Sequence, residues 1–185
     1  MVKIMEYKEQ WEKQVMLKPR IEKVTVNMGV GESGDRLLIG AKVLEELSGQ
    51  KPVRTLAKQT NPAFGIRKKL PIGLKVTLRG KKAEEFLKNA FEAFKASGKT
   101  LYSYSFDSRG NFSFGIPEHI DFPGQKYDPE VGIFGMDVCV TFEKPGYRVK
   151  RKRIKKGKIP QKHLVKKDEA IEYIKTKFGI EVVNE

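Results

Sequence analysis

The sequence predicts an α+β fold of the split βαβ, ferredoxin-like kind: an antiparallel-rich sheet with helices on one face and long basic loops. Three observations predict it. Segments with period-two apolar alternation and segments with a helical apolar stripe follow one another in the order β-α-β-β-α-β. The third strand segment follows the second too closely for a crossover helix, which breaks a parallel doubly wound sheet. The chain has 185 residues, 39% of them hydrophobic, enough for one domain with a real core and too few for two comfortable ones. The expected organisation is a single domain over 1–185, with a core at about 20–143, a basic extension at 144–167 and a terminal helix at about 168–178.

The elements justify themselves in order. In RIEKVTVNMGV, Val24, Val26 and Met28 alternate with Lys23, Thr25 and Asn27, the pattern of a half-buried strand. GVGESGD is a turn, and Asp35 is placed to cap the helix after it. There Leu37, Leu38, Ala41, Leu44 and Leu47 form the apolar stripe, which Gly49 ends. KPVRTLAKQ is the second strand. LKVTLRG is the third, with Leu74, Val76 and Leu78 on one face and Lys75, Thr77 and Arg79 on the other. KKAEEFLKNAFEAFKASG is the second helix, with Ala83, Phe86, Leu87, Ala90, Phe91 and Phe94 inward and Gly98 as its stop. LYSYSFDSRGNFSFGI predicts a hairpin turning near Ser108, Arg109 and Gly110, and GMDVCVTF gives the last good strand. The terminal helix sets Ala170, Ile171, Ile174 and Phe178 on one side, and Gly179 stops it.

Charge narrows the function. Lys and Arg number 37 against 23 Asp and Glu, a formal net charge of +14 and a sequence pI near 9.7. Self-repulsion of that size is tolerable when a polyanion neutralises it in use. Nucleic acid leads, and an anionic membrane surface is second. No run of about 18 apolar residues exists to span a bilayer. MVKIMEYKEQWEKQ lacks the apolar region of a signal peptide, so a cytoplasmic protein is expected. The single cysteine, Cys139, excludes an internal disulfide and a cysteine metal cluster, and its apolar-periodic setting predicts a buried, inert thiol.

Several motifs carry less than they promise. Gly29, Gly31 and Gly34 spell G-x-G-x-x-G between a strand and a helix. The dinucleotide fingerprint also needs an acid about twenty residues on, and the second strand ends instead in Lys58 and Gln59. A tight turn, whose amides could still meet a phosphate, is the better reading. SGKT at 97–100 has Ala93 where a P-loop needs glycine, and it stands at a helix end. RGNFSFGI approaches an RNA-recognition octamer, but Phe112 and Phe114 are out of register and fit the core. His119 and His163 lack catalytic or metal-ligand spacing. No catalysis, cofactor or metal is expected.

Two features survive. Lys23, Thr25, Asn27, Lys75, Thr77 and Arg79 share polar strand faces; if helices bury the opposite faces, these side chains form an open platform. Donors and charges at that spacing suit phosphates, 2′-hydroxyls and the shallow groove of folded RNA. The second is KQTNPAFGIRKKLPIG. Residues 47–83 hold ten basic residues and no acid. Pro62 and Pro71 limit regular structure, while Gly65 and Gly73 allow close backbone approach. Phe64 beside Arg67, Lys68 and Lys69 can pack on a base or ribose while the cations hold the backbone. The basic run at 144–167, with a dozen Lys and Arg and no acid, is a second, less specific contact.

Taken in order, RIEKVTVNMGVGE, LSGQKPVRTLAKQT, NPAFGIRKKLPIG with KVTLRG, FDSRGNFSFGIPEHIDFP and GMDVCVTF resemble the ribosomal protein five family, the 5S-rRNA-binding proteins of the large ribosomal subunit. The resemblance covers about residues 20–143, and YRVKRKRIKKGKIPQKHLVKKDEAIEYIKTKFG is similar to its archaeal and eukaryotic branch. It implies an RNA-recognition-like fold and no enzymatic activity. It implies that Asn27, Gln50 and Thr77 contact a loop of 5S rRNA. It also implies that the 60–69 loop, with Thr60, Asn61, Phe64, Gly65, Ile66, Arg67, Lys68 and Lys69, projects toward the elbow of P-site tRNA. Bacterial members read closer to S-I-A-G-F where this chain has Asn61-Pro62-Ala63-Phe64-Gly65. Further implied partners are large-subunit rRNA, neighbouring large-subunit proteins and a small-subunit head protein.

Overall fold

The computed structural model describes residues 2–183, without the side chains of residues 2–6 and 8. Helix α1 (Val2–Lys13) leads to β1 (Arg20–Gly29), α2 (Asp35–Ser48), β2 (Val53–Leu56), β3 (Pro71–Leu78) and α3 (Lys81–Ala96). Then come β4 (Leu101–Tyr102), β5 (Phe112–Ile116), β6 (Met136–Glu143), α4 (Arg148–Arg151), α5 (Lys167–Phe178) and β7 (Val182–Val183). Five strands form one sheet in the order β2-β3-β1-β6-β5, and β4 pairs with β7 in parallel. Leaving out β5, the order β2-β3-β1-β6 is that of a split βαβ sheet, as predicted. The chain clusters into two compact units, one of Lys23–Lys99 with Phe114–Cys139 and one of Met1–Glu22, Thr100–Ser113 and Val140–Glu185.

In the first unit the alternation in β1 and β3 becomes a buried apolar face. Val24, Val26, Met28, Leu74, Val76 and Leu78 are all at most 2% exposed. Helix α2 comes close at Gly40, where an added Cβ would stand 3.3 Å from Leu74, Met28 and Phe134 side chains. On α3, Phe91 stacks on Phe114 at 5.2 Å and Phe94 meets the same ring edge-on at 5.0 Å. Phe112 and Phe114 are core residues, as their strand spacing suggested.

Helix α2 differs from its predicted stripe. Its buried residues are Leu37, Gly40, Val43, Leu44 and Ser48, while Leu38 is exposed and Ala41 and Leu47 are half-buried. The predicted stripe was turned because the helix comes close to the sheet at a glycine, Gly40, which carries no hydrophobic signal. Asp35 is the first helical residue, not the cap. Gly34 takes that position with φ 117°, and Asp35 contributes its charge to the N-terminal turn.

In the second unit, aromatic rings hold the elements together. Trp11 of α1 meets Tyr173 of α5 edge-on at 6.4 Å, Phe142 meets Tyr173 at 5.5 Å, and Phe112 stacks on Phe106 and Phe142. The α1 helix carried no sequence assignment. The turn near Ser108–Gly110 forms where predicted: the Asp107 N–H donates to the Asn111 carbonyl at 2.8 Å, and the Gly110 N–H to the Asp107 carbonyl at 3.0 Å. Its incoming arm is not a long strand, however. A single-turn 3-10 helix at Ser103–Ser105 interrupts it, leaving one isolated bridge, Phe106 to Phe112, and freeing Leu101–Tyr102 to pair with β7. On α5 the buried apolar residues are Ala170, Tyr173 and Ile174, with Ile171 and Phe178 only half-buried.

Candidate nucleic-acid interface

The register of β1 against β3 assembles the platform. Thr25 is the cross-strand partner of Thr77, and Asn27 of Lys75. Directly opposed side chains in such a ladder lie about 5 Å apart on one face, so the four form one patch opposite the helix-covered face. Asn27 and Lys75 are exposed, and Thr25 and Thr77 half-exposed. Lys23 precedes Val24 and Arg79 follows Leu78, so the two flank the Val24–Leu78 pair at the same end of the ladder. Arg79 is exposed and Lys23 half-buried. Gly29 opposite Gly73 closes the other end. A side chain at Gly73 would come within 2.8 Å of Thr55 Oγ1.

Gln50 joins this group. Its Nε2 donates to the Thr77 carbonyl over 3.4 Å, while its backbone is held by Ser48, whose hydroxyl donates to the Gln50 carbonyl at 3.0 Å. An end-of-helix glutamine outside the alternating strands has no periodic signal, which is why spacing alone missed it. The ladder adds Val53, opposite Lys75 and 68% exposed. As an edge strand of four residues, β2 shows no burial alternation to betray this.

Cys139 corrects an expectation: it is exposed, not buried. Along β6, Met136, Val138, Val140 and Phe142 turn inward, while Asp137 and Cys139 turn outward. Partial burial of the thiol pushes its pKa up, the Asp137 charge adds to this, and Lys75 pulls it down. Because β6 is the neighbour of β1 in the sheet, the exposed face of Cys139 borders the platform. Apolar periodicity misplaced it because cysteine fits either strand face.

The 60–69 loop is a formed hairpin tip. Asn61 and Ile66 exchange N–H···O bonds of 2.8 and 3.0 Å around a 3-10 turn at Pro62–Phe64, and Gly65 takes φ 65° to donate to the Pro62 carbonyl. The Thr60 hydroxyl accepts from the Lys68 N–H at 3.1 Å, and the Lys69 N–H donates to the Ala57 carbonyl at 2.9 Å. Thr60 and Asn61 thus shape the loop, and Ile66 is half-buried. Phe64 stands at the tip, 75% exposed, with Arg67, Lys68 and Lys69 exposed beside it.

The remaining motifs resolve plainly. The Val30 and Gly31 N–H groups both donate to the Ile72 carbonyl, at 3.2 and 2.9 Å. Those two amides are therefore not offered to a phosphate. The antiparallel β1–β3 pair also rules out the parallel dinucleotide fold. His119 is buried, and its Nδ1 accepts from the Phe134 N–H at 3.3 Å. Burial lowers its pKa below the usual 6.5. His163 donates through Nε2 to the Pro145 carbonyl at 2.8 Å. The basic run is not uniformly a contact surface either. Lys144 is 2% exposed, paired with Glu169 at 2.7 Å, and Arg151 pairs with Glu143 and with Glu22. Among the described residues, no helix is long and apolar enough to cross a membrane.

Comparison with known proteins gives the family. The family model described as "Ribosomal protein L5" matches residues 14–67, and the model of the same ribosomal family's C-terminus matches residues 71–173. The large ribosomal subunit protein uL5 of Methanococcus maripaludis strain S2 is 78% identical over 181 residues, 98% of this chain and 100% of the relative. That of Methanococcus aeolicus is 76% identical over the same shares, and that of Sulfurisphaera tokodaii 55% over 169 residues, 91% of this chain and 94% of the relative. The chain belongs to the ribosomal protein L5 family, of archaeal type.

Proposed function

We propose that the chain anchors 5S rRNA in the large ribosomal subunit through the open face of β1 and β3, and touches P-site tRNA through the 60–69 loop. As a member of the ribosomal protein L5 family it is a structural, non-enzymatic component of the large subunit, with rRNA as its partner in the cytoplasmic ribosome. The observation that carries the finer reading is the ladder register that makes Thr25–Thr77 and Asn27–Lys75 direct neighbours on the face away from the helices. Two hydroxyls, an amide and an ammonium in one patch, bordered by Lys23, Arg79 and Gln50, suit ribose 2′-hydroxyls and phosphates better than a protein surface.

The tip loop supports the second contact. An exposed ring among three unopposed cations can lie against a ribose or base while the cations meet phosphates. The whole chain is proposed to act as one RNA-binding body, with further contacts to large-subunit rRNA, neighbouring large-subunit proteins and a small-subunit head protein. Co-purification tests the reading. The chain should sediment with large subunits and retain 5S rRNA when stripped from them; recovery with small subunits, or free of 5S rRNA, would defeat it.

A further inference from the structure

We propose that residues 146–162 form a braced basic loop that binds the phosphate backbone of rRNA as a second site, carried by residues other than the strand platform. The proposal rests on the chain being an RNA-binding protein and not on the platform's choice of 5S rRNA.

The stretch is too long for an ordinary connection, and it holds only the single turn of α4 and a short 3-10 turn at Gln161–His163. Such a segment is usually either disordered or functional. This one is tied at its neck. Lys144 Nζ bonds Glu169 and donates to the Leu164 carbonyl over 3.4 Å. Across the same gap, His163 Nε2 donates to the Pro145 carbonyl and the Tyr147 hydroxyl to the His163 carbonyl at 3.3 Å. Higher up, Arg151 reaches Glu143 and Glu22, and Arg20 grips the same Glu143 through Nε at 3.0 Å and a terminal nitrogen at 2.7 Å. The Gly157 N–H donates to the Val149 carbonyl at 3.3 Å.

The distribution of charge shows what the bracing is for. Nine Lys and Arg lie between Gly146 and Lys162. Arg151 pairs with buried Glu143 and half-buried Glu22; the other eight are all exposed, and the loop contains no acid. Glu143 and Glu169 are buried at a desolvation cost, which a merely solvated extension has no reason to bear. Held together, eight like charges repel until phosphates neutralise them. At the tip, Ile154 is 76% exposed between Arg153 and Lys155, and Lys155 holds a left-handed φ of 53°. A branched aliphatic flanked by cations fits the sugar edge of an RNA groove, with the cations on its two phosphate rims. A lipid surface would call for more apolar area than one Ile and the partly exposed Val149.

The test uses the full chain and purified rRNA from large subunits, with filter binding across a salt series. Changing Arg153, Lys155 and Lys156 together to Gln should lower affinity at least tenfold at about 0.1 M salt. The slope of log affinity against log salt should fall by about 2, as three lost phosphate contacts require. His163→Ala removes no Lys or Arg yet opens the neck. It should quicken tryptic cleavage within 148–158 and lower affinity severalfold. Glu169→Gln should also lower affinity although it makes the chain more positive, the opposite of what unstructured charge would do; circular dichroism confirms that each variant is folded.

An unchanged slope in the triple variant overturns the site. Faster cleavage with unchanged affinity in His163→Ala overturns the bracing. Equal loss of binding to phosphatidylserine vesicles and to rRNA in the triple variant overturns the choice of RNA. Asn27→Ala and Thr77→Ala, measured on 5S rRNA alone, form a separate arm. If they have no effect while the triple variant does, the platform fails and the loop stands.

Discussion

Thr25 and Thr77 are cross-strand partners at the centre of the β1–β3 ladder, one rung from Val26 and two from the Asn27–Lys75 pair. The single thiol of the chain, Cys139, lies exposed within the electrostatic reach of that same Lys75. It is therefore a built-in reporter of whether the face is covered. Bound 5S rRNA should slow maleimide alkylation of Cys139 by tenfold or more at mildly alkaline pH. An equal rate in the free protein and the complex would leave that face bare.

Phe64 is 75% exposed at the loop tip, so its ring buries little against the fold. Phe64→Ala should therefore change unfolding free energy by no more than about 0.5 kcal/mol. If the proposed tRNA contact holds, its effect belongs to the ribosome, where loss of stacking is worth about 1–3 kcal/mol. Subunits carrying the variant should release P-site tRNA faster, a rate that filter assays read directly. A destabilised protein with unchanged tRNA release would reverse this assignment.

The difference between what the sequence disclosed and what it hid follows from the strength of local signals. Strands β1 and β3 are buried on one face only, so Val24-Val26-Met28 and Leu74-Val76-Leu78 printed a clean alternation, and the platform could be read with them. Helix α3 has phenylalanines at helical spacing and was equally plain. Helix α2 was read one step round because Gly40 and Ser48 carry no hydrophobic signal, though both are buried. Periodicity misjudged Cys139, and only the family resemblance reached Gln50, for the same reason: small or polar residues take their places from neighbours, not from periodicity. Lys144 and Arg151 hid inside a one-signed run because their partners, Glu169, Glu143 and Glu22, lie outside it. Long-range ion pairs leave no local trace.

His119 gives the fold a pH dependence. Burial holds its native pKa below the unfolded value of 6.5, with Glu118 opposing weakly. Above 6.5 the imidazole is neutral in both states and its contribution is complete. As pH falls through that value the unfolded chain takes up the proton first, so stability declines until the native pKa is passed. Urea unfolding at about pH 7.5 and about pH 5.5 should show this loss, and His119→Gln should remove much of the difference. Identical slopes in both proteins would place the titration elsewhere.

Gly110 is doubly constrained. Its φ is 72°, and an added Cβ would stand 2.9 Å from Val165 Cγ1 and 3.0 Å from both Ala170 Cβ and the Lys166 carbonyl oxygen. Backbone strain and overpacking act together, so Gly110→Ala should cost about 2–4 kcal/mol. Thermal unfolding should drop by roughly 5–15 °C. Gly124→Ala, at φ 87° with nothing near its Cβ, separates the two effects and should cost only the backbone part.

The most direct test is the affinity of purified 5S rRNA for the double variant Asn27→Ala/Thr77→Ala. Each lost hydrogen bond to a charged or desolvated group is worth about 1–2 kcal/mol, and as neighbours on one patch the two changes need not add fully. Binding should weaken by about 2–3 kcal/mol, roughly 30- to 150-fold, with unchanged thermal stability. Wild-type affinity in the folded double variant would contradict the open sheet face as the seat of 5S rRNA.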